Sequence, residues 1–174
     1  MKIHLAALPI AVALVLAGCG GDDDEDATAE TPEIADGTFS GTFAKVASAP
    51  KGTKKIGGTA EMVLSASGTE VSLSASNLDP KAKYVAHVHA DSCDAEDPGG
   101  AHYQYTPGGG DMPPNELHLP VTVNKNGKGK GETTNPVKAG PEAKSVVIHL
   151  KRAAGAKKDE AKPPKLACAD LAAS

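Results

Sequence analysis

From Gly37 onward no long stretch of this chain repeats apolar residues at helical spacing; what it repeats is alternation. Val71, Leu73 and Ala75 alternate with Ser72, Ser74 and Ser76, which places methyl groups on one face of an extended strand and hydroxyls on the other. Leu117, Leu119, Val121 and Val123 share a face opposite His118 and Thr122, and Val146, Ile148 and Leu150 face away from His149. Gly, Pro, Asn and Asp separate these runs, and Ser67-Gly68 and Asn126-Gly127 suit hairpin turns. The pattern predicts strands near 37–46, 56–66, 69–76, 83–90, 117–124, 129–135, 144–151 and 165–170. Short strands in this number, without helices, predict an all-β domain, either a β-sandwich or a flattened eight-stranded barrel.

The first stretch of the 174-residue chain does not share this rhythm. Lys2 precedes an apolar run from Ile3 to Val15, followed by Leu16-Ala17-Gly18-Cys19. A basic start, an apolar centre and small closing residues predict a secretory signal over 1–18. The run to Ala17 is shorter than the roughly 20 residues that a spanning helix needs. Leu-Ala-Gly-Cys also resembles the lipobox of bacterial lipoproteins. That resemblance implies cleavage before Cys19, a lipid on its thiol, and an exported protein anchored to a bacterial membrane, in the periplasm or cell envelope. Residues 19–36, with the run Asp22-Asp23-Asp24-Glu25-Asp26, lack the apolar content to order themselves and predict an acidic tether ahead of a β-domain over 37–174. Much of the net charge of −4 sits in that tether, and no basic segment is interleaved with aromatics, so nucleic acid is not an expected partner.

Once Cys19 is assigned to the lipid, Cys93 and Cys168 remain as a pair in an oxidising setting. A bridge between them would remove about 4–5 kcal/mol of denatured-chain entropy on the chain-entropy model. With no Trp, two Phe and three Tyr the core is lean, so a crosslink would compensate. Two free thiols serving as metal ligands are the other reading.

The chemistry concentrates around Tyr84-Val85-Ala86-His87-Val88-His89-Ala90-Asp91-Ser92-Cys93. In a strand His87 and His89 point to one side and Val88 to the other, so the two imidazoles form a chelating pair for a transition metal. The strand rhythm then breaks over 91–116, through Asp-Pro-Gly-Gly and Pro-Gly-Gly-Gly. A loop of that length in a small domain is usually functional or disordered. This one begins at the histidine pair and carries His102, which favours function.

Four blocks, in order, resemble the bacterial copper/zinc superoxide dismutases. They are His87-Val88-His89 with Cys93; Gly99-Gly100-Ala101-His102-Tyr103; Val147-Ile148-His149; and Lys165-Leu166-Ala167-Cys168. The resemblance covers about 37–171. It implies a Greek-key β-sandwich or flattened eight-stranded barrel of that type, with His87, His89, His102 and His149 as copper ligands and a Cys93–Cys168 disulfide. The implied activity converts the superoxide anion to oxygen and hydrogen peroxide. Imidazole suits copper, and an all-nitrogen site can hold both of its oxidation states. The rival expectation is a lipoprotein that buffers or delivers copper on the same scaffold without turnover.

Two departures sharpen the reading. The family's zinc subsite adds two histidines and an aspartate after the bridging histidine, yet here Gln104 to Leu117 supplies no histidine. His118 stands about where the aspartate belongs, as a possible second-metal ligand or, on the simpler reading, a solvent-facing residue. Asp111 or Glu116 could complete such a site, but a structural zinc wants four protein ligands. An intact zinc site is therefore not expected, and the chain looks copper-only. Lys165 occupies the position of the family's active-site arginine, so a mobile point charge replaces a planar fork. The loop before it carries Lys151, Arg152, Lys157, Lys158 and Lys162 against Asp159 and Glu160. Such a basic rim would speed the encounter with a small anion.

Overall fold

The computed structural model describes residues 34–151 and 162–174. The expected signal, the expected lipid attachment at Cys19 and most of the expected tether lie outside the described residues, as do Arg152, Lys157 and Lys158 of the expected basic rim. Ten strands are described: β1 (Gly37–Thr42), β2 (Ala44–Lys45), β3 (Gly57–Ser65), β4 (Gly68–Ser76), β5 (Tyr84–His89), β6 (His118–Val123), β7 (Gly129–Asn135), β8 (Ser145–Leu150), β9 (Lys165–Asp170) and β10 (Ala172–Ala173). The eight expected strands are all present. The first is split, and β10 was not anticipated.

The strands form one curled antiparallel sheet in the order β10-β1-β3-β4-β7-β6-β5-β8-β9-β2. Its two ends are joined by the chain itself. Only Phe43 separates β1 from β2, and only Leu171 separates β9 from β10. The first segment pairs with β3 through β1 and with β9 through β2, while β10 pairs with β1, so the sheet curls into a flattened barrel. Phe43 is 3% exposed and donates its N–H to the Gly58 carbonyl. The expected strand over 37–46 breaks there because the segment changes neighbours and drops its aromatic ring into the core. Gly41 sits at this closure, where a β-carbon would overlap the Asp170 carbonyl.

Consecutive strands pair through the turns at Ser65–Gly68 and Asn124–Gly129, whereas β4 pairs with β7 and β5 with β8. The pairings of β4 with β7 and of β5 with β8 are the long connections of a Greek key. Inward-facing Leu64, Val71, Leu73, Tyr84, Ala86, Val88, Leu119, Val146, Ile148 and Leu166 fill one core. A second small cluster, Val46, Val147 and Cys168, lies on the other side of the β8–β9 wall under the long loop. Ile34 packs on the main core, and Lys138 holds the entering segment by donating to the Ile34 carbonyl at 2.8 Å and pairing with Asp36 at 2.7 Å.

Candidate metal centre

The site is built on the outer face of the wall formed by β6, β5, β8 and β9. Directly opposed residues on antiparallel strands share a face. His87 lies opposite His118, Val85 opposite His149, and His149 opposite Lys165, with a β-bulge between Ile148 and His149. One strip of wall therefore carries His87, His89, His118, His149 and Lys165, while Tyr84, Ala86 and Val88 of the same strand point into the core.

The long loop folds back over this strip. His89 and His102 form an isolated antiparallel bridge, and the loop is tied by hydrogen bonds from Ala90 N to Ala101 O, Asp91 N to Gly99 O and Tyr103 N to Val88 O. Cys93 is joined to Cys168 of β9 at 2.05 Å, so the disulfide reading holds and these sulfurs are not metal ligands. Gly99 and Gly100 adopt φ of +79° and +61°. At Gly99 a β-carbon would approach Val147 Cγ2 to 2.6 Å and the His89 side chain to 3.2 Å, so only glycine lets the loop lie this close to the cage.

The result brings His87, His89, His102 and His149 together, with one ligand nitrogen of each within 4.8 Å of all the others. His89 Nε2 and His149 Nε2 are 3.1 Å apart, and the rings of His87 and His102 have centroids 4.1 Å apart. His89 Nδ1 donates to the Gly100 carbonyl at 3.2 Å and His102 Nδ1 to Glu116 Oε2 at 2.7 Å. Each bond fixes a tautomer that leaves a lone pair on the other nitrogen, free for a metal. His87 Nδ1 is buried and has no hydrogen-bond partner among the described residues. A buried polar atom without a partner is costly, and a metal ion would satisfy it.

Burial, then the charge of His102, lowers the pKa of His87 far below its usual value and that of His89 to about 2. Burial and His102 also lower His149 to about 4. His87, His89 and His149 therefore offer neutral imidazoles, the form that binds a metal.

His118 corrects the expectation of a plain solvent-facing residue. Its Nε2 donates to Glu116 Oε2 at 3.0 Å and its ring meets that of His87 edge-on, with centroids 4.4 Å apart. Glu116 had entered only as a possible zinc ligand. It is 3% exposed and accepts from His102, His118 and Gln104. Burial pushes its carboxyl up, but the bonds from Gln104, His118 and His102 outweigh this and hold it below the usual range. His102, Glu116 and His118 also form a second group with ligand atoms within 4.8 Å. Lys165 is equally unlike a mobile surface charge. Its Nζ donates to the Gly100 carbonyl at 2.8 Å and pairs with Asp97 Oδ1 at 2.7 Å. Sequence reading missed Asp97, which no local motif links to Lys165.

No protein-family model and no curated protein matches the sequence. Among solved structures the chain is similar to a copper/zinc superoxide dismutase from Brucella abortus, with a TM-score of 0.52 and 22% identity over 76% of this chain and 98% of that one. The likeness agrees with the all-β architecture described above: this chain has the fold of the copper/zinc superoxide dismutases.

Proposed function

We propose that the protein is an exported, lipid-anchored superoxide dismutase that uses copper held by His87, His89, His102 and His149. The observation that carries this reading is the four-imidazole cage, in which the buried His87 Nδ1 has no hydrogen-bond partner among the described residues. Copper, when bound, supplies a one-electron couple: one superoxide gives up an electron to become dioxygen, and a second gains one, with two protons, to become hydrogen peroxide. The chain's residues do the rest. The four rings supply nitrogen donors, β5 and β8 fix three of them on rigid backbone, and the disulfide-tethered loop positions the fourth. Lys165 places a cation beside the cage to draw in the anion.

The copper-only reading rests on the sequence, in which Gln104 to Leu117 supplies no histidine, and a metal held by His102, Glu116 and His118 is the alternative. Export and the anchor on Cys19 are proposed from the sequence motif alone. Metal analysis of the purified protein, with a dismutation assay before and after copper loading, tests the reading. One equivalent of copper and copper-dependent turnover, both lost in His87→Ala, are expected. Tight copper binding without turnover would favour a copper carrier, and no copper uptake would overturn both.

A further inference from the structure

Lys165 opens β9 opposite His149, and its ammonium is pinned beside the cage. The Gly100 carbonyl that accepts from Lys165 Nζ is the oxygen that His89 Nδ1 also approaches. The Asp97 carboxylate takes a further position on the same ammonium, which has three donors in all. The two partners differ sharply in exposure: the Lys165 side chain is 14% exposed and that of Asp97 is 71% exposed. An ion pair with one member fixed and the other largely in water opens by release of the exposed member. Asp97 is placed by the turn that follows it, in which Gly100 N–H donates to the Asp97 carbonyl at 2.7 Å.

We propose that Asp97 is an internal competitor for the anion-binding face of Lys165, so that a small monoanion reaches the cage by displacing the Asp97 carboxylate from Nζ. This deepens the dismutase reading and rests on it for the identity of the anion; the competition is a property of the two side chains. A carboxylate and superoxide are both singly charged oxygen anions that accept from an ammonium, so one donor serves either. A neutral ligand, unable to replace the lost ion pair, gains no foothold at Nζ. Asp97 thereby sets the anion affinity of the site, and the cation is exposed to passing anions only part of the time.

Asp97→Asn keeps the shape and an acceptor while removing the competing charge. Azide titration of the copper-loaded protein, followed by its charge-transfer absorption, should show about two- to five-fold tighter binding in Asp97→Asn, the range that exposed ion pairs span. In the metal-free protein, bromide should bind more tightly in the same variant, read by broadening of its magnetic resonance line. Both gains should vanish in the double variant Lys165→Met/Asp97→Asn. Equal bromide affinity in parent and Asp97→Asn would overturn the proposal, as would a gain that survives removal of Lys165. Failure of the protein to take up copper would overturn the dismutase reading instead, and the bromide measurement would still decide the role of Asp97.

Discussion

Glu116 Oε2 accepts a hydrogen bond from His102 Nδ1–H at 2.7 Å, and the same oxygen accepts one from His118 Nε2–H at 3.0 Å. One buried carboxylate thus orients a cage ligand and a neighbouring imidazole together. Outer partners of this kind typically change metal affinity 10–100-fold. Glu116→Gln, which keeps the size but not the charge, should weaken copper binding by at least about ten-fold in competition with a chelator. His118→Ala should cost less, because the His102 bond survives. Parent-like affinity in Glu116→Gln would remove this role.

The metal-free protein should lose stability as the pH falls below about 6.5. Imidazoles of the unfolded chain take up protons there, whereas His149 does so only near 4 and His89 near 2 in the folded protein. Below 6.5 the unfolded state therefore binds more protons, and stability drops by up to about 1.4 kcal/mol per pH unit for each such histidine. Full stability from this source is present above 6.5. Urea midpoints measured across this window should fall with acid, and the fall should be shallower in His149→Ala. A midpoint that is flat over this range would show that these rings are not buried neutral.

Cys93→Ser should reduce stability by about 2–5 kcal/mol, measured by denaturant unfolding without reductant. Because Cys93 anchors the loop that delivers His102, the same variant should bind copper more weakly. Freely alkylated thiols in the untreated parent would contradict the crosslink.

Lys165→Glu should lower kcat/KM at low salt with copper content unchanged, since it sets a carboxylate against Asp97 beside the cage. Raising ionic strength toward about 0.15 M should narrow the gap to the parent, because the steering part of the effect is screened. Equal rates at low salt would point to the copper-carrier function.

Gly99→Ala should be costly for a surface-loop substitution, by about 1–3 kcal/mol. The new methyl meets Val147 and His89, and the backbone there has φ of +79°. The copper spectrum should shift with stability, because His89 is one of the atoms displaced. An unchanged melting temperature would show that the loop does not lie on the cage.

Alternation made the walls legible: the Ser/Val pattern of 71–76 and the His-Val-His of 87–89 each state which side chains share a face. The features missed are those fixed by partners far away in sequence. The first strand breaks at Phe43 because its neighbour changes from β3 to β9, and nothing local to Phe43 announces β9. His118 reads as an outward residue on its own strand, and only the long loop reveals the buried carboxylate beneath it. Asp97 lies in a run of loop acids, Asp94, Glu96 and Asp97, and only the turn through Gly99 and Gly100 selects one of them to meet Lys165.

The closure of the barrel carries a consequence for the order of events in synthesis. Until Lys165–Ala173 has left the ribosome, β8 has no outer neighbour and β1 is paired on one side only, so both edges of the sheet stand open. That late segment also brings Cys168 to Cys93 and the ammonium to its place opposite His149. Barrel, crosslink and cation are thus completed by the same few residues. A nascent chain carries all the cage histidines before it can assemble a finished centre, because completion waits on contacts distant in sequence.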